Sequence, residues 1–426
     1  MSASELLRHK IDIVALAMIF AVAIFLRLPW QAFSNGAPLH SLAALHPAPA
    51  YNGLGMDEGL YREYVNAVIR DGIGSYPELI QGYAEAQKEK EGSILPPTRF
   101  LYIFAAYSWH SLFGTEALNA LRQVAAFFSV LTLALATLFV ARLRGPSWAV
   151  GMAALMAFAP TQLHVSQHAL VDGFFAFWAL LSLWLLWENL RAPRNWRWLA
   201  AYVVALAFLV LTKENSFFVW VALVAVIVVN RWLQFGTLTR EVIVATVLGP
   251  LLGVVILIFL AGGISPLVHL YQLSVGKNLH LEYAILTGDG PWSRYLVDLL
   301  LVSPIILILA VGRVFQLNRL LKEEWFMAIF IAASYLVMCN VKYGMNLRYA
   351  NIWDMPLRFL ALGQIVALGS LAKQQYRAVV IAIALALIAA IEFRQYVIMT
   401  IQYPLYELAT DLLMRALHIL KYSLHP

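Results

Sequence analysis

Charged side chains are scarce in this sequence. Asp, Glu, Lys and Arg make up 13% of its 426 residues, about half the share found in soluble domains. Hydrophobic residues fill 62%. A chain so poor in charge is a polytopic membrane protein rather than a soluble globular enzyme. Cysteine is rarer still, because Cys339 stands alone. That excludes a disulfide framework and a thiolate metal site. Cys339 sits in an apolar run and reads as core. The first apolar run lacks the small-residue cleavage site of a secretory leader, so it reads as an anchor. The charges that are present sum to +6. This excess does not signal nucleic acid: it concentrates in short Arg-rich loops, as in the cytoplasmic loops of membrane proteins.

What is there is a series of apolar runs. Spans are predicted at about 11–29, 117–141, 148–165, 172–190, 198–212, 215–232, 242–261, 295–312, 325–341, 350–371 and 377–393. The run at 100–113 is too short for the roughly 20 residues that a crossing needs, and reads as an interfacial or re-entrant helix. With that run left out, Arg142/Arg144, Arg191/Arg194/Arg197, Arg231/Arg240, Arg313/Arg319/Lys322 and Lys373/Arg377 all fall on the side of Arg8 and Lys10. That is the positive-inside pattern. The expectation is one all-α transmembrane module over residues 1–426, with about eleven spans and the N-terminus in the cytoplasm. Its outer face carries a helical first loop at 30–115, a long loop at 262–294 and an amphipathic tail at 394–426.

The outer ends collect polar residues: Asp57, Glu58, Arg99, Arg122, His164, His168, Asp172, Lys213, Glu214, Lys277, Asp289, Arg294, Lys342 and Arg348. An ionisable group at membrane depth is expensive, and by default marks a functional site. The plain alternative for each is a side chain snorkelling from a helix end; that reading suits Lys277 and Arg394. Asp172 and Lys213 are bracketed by long apolar runs, which favours function. Asp57 opens an amphipathic stretch in which Leu60, Tyr61, Tyr64, Val65, Val68 and Ile69 recur at helical spacing. It therefore also reads as a helix N-cap. His164, His168 and Asp172 stand at i, i+4, i+8, so capping and a metal site both remain open.

Several stretches together carry a resemblance. Gly55-Met56-Asp57-Glu58-Gly59-Leu60-Tyr61 resembles the first-loop Asp-Glu motif of the GT-C glycosyltransferases. It is most similar to the branch holding protein O-mannosyltransferases and lipid A aminoarabinose transferases. Pro96-Pro97 with Phe100-Leu101-Tyr102, then Phe113-Gly114-Thr115-Glu116-Ala117 and Arg122, resemble that branch's Pro-Pro segment, Phe-Gly turn and following arginine. Ser166-Gln167-His168-Ala169-Leu170-Val171-Asp172 resembles its second-loop motif, and Phe208-Leu209-Val210-Leu211-Thr212-Lys213-Glu214 its Leu-Thr-Lys element. Gly288-Asp289-Gly290-Pro291-Trp292-Ser293-Arg294-Tyr295 and Leu347-Arg348-Tyr349 are weaker echoes. The sequence departs from the family at Leu95, where Lys or His is common, and at Gln167, where Arg is common. It also lacks the large C-terminal soluble domain of some relatives.

The resemblance implies an enzyme of a bacterial inner membrane that takes a sugar from a polyprenyl-phosphate donor and passes it to a hydroxyl acceptor on a protein, lipid or glycan. Asp57 and Glu58 would be catalytic, with Asp57 the base. Asp172, Lys213, Arg99, Arg122 and Arg348 would hold the donor phosphate. A divalent metal, if used, would draw on Glu58, His164, His168 or Asp172. Acceptor recognition would fall to the loops or to a partner protein. Two other readings compete. One is an inactive GT-C-like assembly subunit, kept open by Leu95 and Gln167. The other is a secondary transporter, which the absence of an internal repeat disfavours.

Overall fold

A computed structural model describes residues 3–47, 54–278, 280–403, 405, 406 and 408–419, with side chains from residue 11 onward. Among these residues there are helices and no strands. Helix α1 is Ala3–Arg27. A layer at one end of the bundle follows, with α2 (Met56–Asp71), α3 (Tyr76–Glu89) and α4 (Phe100–Phe113). The first half of the bundle is α5 (Ala117–Arg144), α6 (Pro146–Ala157), α7 (Pro160–Gln167), α8 (Val171–Arg191), α9 (Trp196–Thr212), α10 (Ser216–Leu233) and α11 (Arg240–Leu260). Helix α12 (Ile264–Asn278) returns to pack on α3, and α13 (Glu282–Gly288) follows it. The second half is α14 (Arg294–Val302), α15 (Pro304–Val314), α16 (Lys322–Met338), α17 (Asp354–Gly369) and α18 (Arg377–Tyr396), and α19 (Ala409–Ala416) ends the described chain.

The bundle holds because its helices are apolar nearly all round. α9 packs on α8 and α11, α5 on α6 and α8, and α17 on α15 and α16. The loop layer is attached by a different pattern. In α2 the residues at helical spacing, Tyr61, Tyr64, Val65 and Val68, are the ones buried. They pack with Tyr76, Ile80 and Tyr83 of α3 and with Leu101, Tyr102 and Ile103 of α4, against Leu121, Phe174 and Leu211 of the bundle. The first loop is thus a folded layer with its own core on the end of the bundle. Two tyrosine hydroxyls tie down the chain between α3 and α4: Tyr64 donates to the Leu95 carbonyl at 2.6 Å and Tyr76 to that of Pro97 at 2.5 Å.

Helix α4 has 14 residues, about 21 Å at 1.5 Å per residue, against a hydrocarbon core of roughly 30 Å. It ends at Gly114, whose φ of 66° is the left-handed conformation that glycine adopts without strain. Among the described residues, six stretches are long and apolar enough to cross a membrane: Ala117–Arg144, Val171–Arg191, Ser216–Leu233, Arg240–Leu260, Leu347–Gly369 and Gln374–Gln402. The molecule is an integral membrane protein.

Three local expectations are corrected. The predicted span 148–165 is two helices, α6 and α7, with a break at Phe158–Ala159 before Pro160. The predicted span 295–312 is likewise α14 and α15, separated at Ser303 before Pro304. In each case proline occupies the first turn of the second helix, where its missing N–H is harmless, and it cannot accept the incoming helix from behind. The N-cap of α2 is Gly55, not Asp57. Glu58, at the third helical position, supplies the cap by accepting the Gly55 N–H at 3.2 Å. Of the amphipathic tail, residues 420–426 lie outside the described residues.

The folded first loop and the Arg-rich turns should face opposite sides of the membrane. In a Cys339→Ala background, Lys88→Cys should react with a membrane-impermeant maleimide added outside intact cells. Arg194→Cys should react only after permeabilisation. Equal labelling of both from one side would overturn this topology.

Candidate active site

Asp57 sits in the first turn of α2, at the seam between the loop layer and the bundle. Next to it, Glu58 turns inward and forms a clasp. Its carboxylate takes both ends of the Arg122 guanidinium from α5, at 2.9 and 2.8 Å. It also accepts the Ala169 N–H, between α7 and α8, at 2.8 Å. Burial alone would push the Glu58 carboxyl up, but the hydrogen bonds and charge of Arg122 and the Ala169 N–H outweigh it and leave it below its ordinary value. Glu58 is therefore an ionised structural tie between the start of α2 and two bundle elements. Asp57 is the more open of the two, with its side chain 26% exposed against 3% for Glu58.

The oxygen Oδ2 of Asp57 accepts from Nη1 of Arg348 at 2.7 Å. Arg348 lies in the 3₁₀ segment Leu347–Trp353. Its backbone is fixed by Asn346, which accepts the Arg348 N–H at 2.9 Å and donates to Thr287 at 3.1 Å. The same Nη1 stands 3.8 Å from Asp172 at the start of α8. Asp172 accepts from Lys213 Nζ at 2.5 Å, and Lys213 also lies 3.9 Å over the Tyr349 ring. Beyond this, Arg99 makes a two-pronged bond to Glu214, at 3.2 and 2.5 Å, and donates to the Tyr61 hydroxyl at 2.7 Å. Among the described residues, four carboxylates and four cations from six parts of the chain thus meet in one cluster.

Two cavities flank Asp57. One, of about 380 Å³, includes Arg99, Glu214, Lys342, Tyr343 and Arg348 in its wall together with apolar Leu95, Phe217 and Phe218. The other, of about 460 Å³, is lined by His164, His168, Tyr283 and Leu170 and by Met399, Thr400 and Tyr406 of the C-terminal tail. Asp57 and Arg348 line both. Apart from Asp57, Glu58 and Arg348, the second cavity is walled by uncharged side chains, and His164 stacks on Tyr406 at 4.0 Å. Burial, with help from Arg122 and Arg348 and against Glu58, keeps the His168 imidazole below its ordinary value and neutral at pH 7.

Of the residues expected to hold a donor phosphate, Arg99 and Arg348 reach a cavity. Asp172, Lys213 and Arg122 stand behind it, each buried against its partner. The expected metal ligands Glu58, His164, His168 and Asp172 do not form a metal cluster, and no group of three ligating side chains occurs among the described residues. Glu58 is saturated by Arg122 and backbone N–H groups, and Asp172 is bound to Lys213, so their oxygens are committed to protein cations. Asp289, Arg294 and Lys277 fall outside the cluster. Arg294 donates to the Asp289 carbonyl, and Lys277 binds carbonyls at the end of α3, among them that of Lys88 at 3.0 Å. Gln167, noted above as a departure from the family's motif, donates to the Leu26 and Leu28 carbonyls at 2.6 and 3.1 Å and ties down the end of α1. Sequence reasoning missed Tyr61 and Tyr349 as partners of the cations, and missed Thr400 and Tyr406 as cavity walls. The two partner tyrosines stand inside the motif stretches, which is the signal that could have found them.

A family profile described as dolichyl-phosphate-mannose-protein mannosyltransferase matches residues 100–272, less than half of the chain. No curated protein sequence matches significantly. Among solved structures, ArnT from Cupriavidus metallidurans in the apo state is similar with a TM-score of 0.52 and 14% identity, over 94% of this chain and 76% of that one. The same protein bound to undecaprenyl phosphate gives 0.53 and 14%, over 96% and 77%. The apo oligosaccharyltransferase of Archaeoglobus fulgidus gives 0.56 and 13% over 94% of this chain. This chain spans little more than half of that enzyme's length, 55%. Together with the family profile, the arrangement of helices is the fold of the GT-C superfamily of membrane glycosyltransferases.

Proposed function

We propose that this protein transfers a sugar from a polyprenyl-phosphate donor to a hydroxyl acceptor at the outer face of a bacterial inner membrane, with inversion at the anomeric carbon. The observation that carries this reading is the position of Asp57, whose carboxylate is shared by a cavity lined by Arg99, Lys342 and Arg348 and by a more apolar one lined by His164, His168, Tyr283 and Tyr406. The donor phosphate fits the first, between Arg99, Arg348 and Lys342, with Phe217 and Phe218 leading toward the bilayer for the lipid tail. The acceptor hydroxyl fits the second. The similar ArnT and Archaeoglobus enzymes have structures with undecaprenyl phosphate and with dolichol phosphate, which supports a carrier lipid.

The chemistry follows from those positions. The acceptor oxygen attacks the anomeric carbon from the side opposite the phosphate, and Asp57 takes its proton as general base. The bond from the anomeric carbon to the phosphate oxygen breaks and its electron pair leaves with the phosphate. Arg348 and Arg99 carry that charge in a water-poor setting, where fixed cations act most strongly. Lys213 works at one remove: it neutralises Asp172, which in turn steadies Arg348. A metal has no part in this scheme.

Asp57→Asn should lower sugar transfer by roughly 10²–10⁴-fold while fold and carrier binding are retained. The measurement is turnover of a radiolabelled polyprenyl-phosphate sugar in nanodiscs. Because Gly55 and Glu58 form the cap of α2, Asp57→Asn has no capping bond to lose, and retained turnover would remove Asp57 as the base. One observation favours a second reading, an inactive binding subunit: Leu95 lines the cation-bearing cavity at a position where relatives often carry Lys or His. Carrier binding without turnover in the unaltered protein would decide for it.

Lys213→Ala leaves Asp172 buried without its ammonium partner. Removing one half of a buried pair costs about 3–5 kcal/mol, so the variant should melt well below the unaltered protein. The fraction that remains folded should keep most of its carrier affinity. A loss of affinity above roughly tenfold, the scale of a lost charge-assisted hydrogen bond, with unchanged melting would put Lys213 on the phosphate instead.

A further inference from the structure

We infer that Glu214 accepts hydrogen bonds from the hydroxyls of the donor's sugar, and that the sugar is an uncharged one. The inference rests on the donor assignment above and deepens it. That assignment places the phosphate and the lipid tail and leaves the sugar unplaced.

Three observations carry it. First, Glu214 is held in place and yet open. It stands in the turn between α9 and α10, where the Ser216 N–H bonds the Lys213 carbonyl at 3.0 Å and the Phe217 N–H bonds the Glu214 carbonyl at 3.3 Å. Its neighbour Lys213 points back to Asp172. Arg99 donates to one Glu214 oxygen at 3.2 Å and to the other at 2.5 Å, and Arg99 is itself anchored on the buried Tyr61 hydroxyl at 2.7 Å. Even so, the Glu214 side chain is 37% exposed, against 6% for Arg99, and it lines the cation-bearing cavity. An ionised carboxylate has about four lone-pair sites. The two bonds from Arg99 leave it acceptor capacity on the cavity side.

Second, Glu214 is ionised. The protein packed around it would push the carboxyl up, but the charge and hydrogen bonds of Arg99, with help from Lys213, hold it below its ordinary value. An ionised carboxylate accepts and does not donate. Its ligand must therefore bring the hydrogens.

Third, a carboxylate has no use in a site built for phosphate alone, because it repels the anion. Glu214 shares Arg99 with the expected phosphate, so it stands beside that phosphate. A donor offers two neighbours to its phosphate. The isoprenoid tail cannot donate a hydrogen bond, whereas the sugar can. The signs of charge in the wall then select among sugars. Arg99, Lys342 and Arg348 are cations, and Glu214 and Asp57 are anions. A hydroxyl both donates and accepts, so it suits both. The carboxylate of a uronic acid would meet Glu214 and Asp57, and the ammonium of an amino sugar would meet the three cations. Glu214 is thus a specificity residue that touches the substrate, while proton transfer stays with Asp57.

The test needs no acceptor. Binding to the full chain in nanodiscs is measured for bare undecaprenyl phosphate and for the same lipid carrying mannose, glucose, galactose, glucuronate or glucosamine. In the unaltered protein at least one of the three neutral sugars should raise affinity over bare carrier by about tenfold, the scale of one hydrogen bond to a charged group. Glucuronate should give no such rise. Glu214→Gln should remove most of the sugar's increment and leave affinity for bare carrier unchanged or higher. If Glu214 served only to hold Arg99, Glu214→Gln would weaken bare carrier and sugar-bearing carrier alike, and that result would overturn the inference. An increment that survives Glu214→Gln would also overturn it, as would one confined to glucuronate or to glucosamine. Where Glu214→Gln does not fold, as judged by its melting, Glu214→Asp takes its place. It keeps a charge for Arg99 but draws the carboxylate back by one methylene, and it should likewise shrink the increment. Binding of bare carrier with no increment from any sugar would overturn the inference and leave the phosphate assignment standing. No binding of any of these lipids would overturn the donor assignment itself, and the inference with it.

Discussion

A charge placed beside a membrane core must be matched or it will not stay there. Desolvating a carboxylate or a guanidinium costs several kcal/mol even after relaxation, and the debt is met only by a partner with good geometry. At the loop-bearing end of this bundle the chain buries Glu58, Arg99, Arg122, Asp172, Lys213 and Arg348. Their partners come from distant segments: α2 to α5, α4 to the start of α10, and α8 to the turn after α9. Each pairing therefore fixes how two elements sit. Glu58 is the clearest case, since one carboxylate sets the start of α2, the α5 guanidinium and the α7–α8 turn. The loop layer cannot tilt without leaving a buried charge alone. This gives Asp57 a rigid mount at the edge of the cluster, where its own carboxylate stays partly open.

Several of these residues were legible in the sequence for a simple physical reason. Ionisable groups at the ends of apolar helices stand out, so Asp57, Arg99, Arg122, Asp172, Lys213 and Arg348 were visible one by one. Who pairs with whom was not. Asp57 and Arg348 are 291 residues apart, and nothing local in either stretch names the other. Roles were blurred for the same reason. Asp57 reads as an N-cap because Asp is a good one, yet the residue three positions after Gly55 makes the cap. Lys213 reads as a phosphate ligand, yet it is buried at Asp172 and lines neither cavity. Of the second cavity, His164 and His168 were visible in the sequence, but the part of the wall supplied by the tail left no trace, because Thr400 and Tyr406 carry no charge and sit in no periodic pattern.

Helix continuity was legible only in part. Apolar runs mark the bundle well, but an apolar run does not say whether one helix or two will occupy it. Pro160 and Pro304 open new helices, whereas α11 continues through Pro250. Proline alone does not decide the matter. Donors for freed carbonyls accompany the break after α6 as they accompany Pro250, where Trp220 donates to the Thr246 carbonyl at 2.8 Å. Arg27 donates to the carbonyls of Met156 and Ala157 at 2.9 Å each, and Arg358 donates to that of Leu155 at 3.2 Å. These are the last carbonyls of α6, exposed where the helix stops.

Those two arginines connect the breaks to the active end. Arg358 also bonds Glu392 at 2.6 Å and Asp354 at 2.8 Å. Ser303, at the break between α14 and α15, donates to the same Glu392 at 2.9 Å. Gln162 of α7 donates to Asp354 at 2.8 Å. The two broken helices are thus stitched to one buried polar network beneath the site. Asp354 directly follows the 3₁₀ segment that carries Arg348, and Asn351 of that segment donates to the Asp172 carbonyl at 2.7 Å. A continuous helix at 148–165 would have no free carbonyls to receive Arg27 and Arg358, and α7 would not turn to present His164 and His168 to the second cavity. The breaks therefore do structural service: they trade helix hydrogen bonds for arginine-held corners, and those corners hold the Arg348 segment and the uncharged cavity wall in register with Asp57.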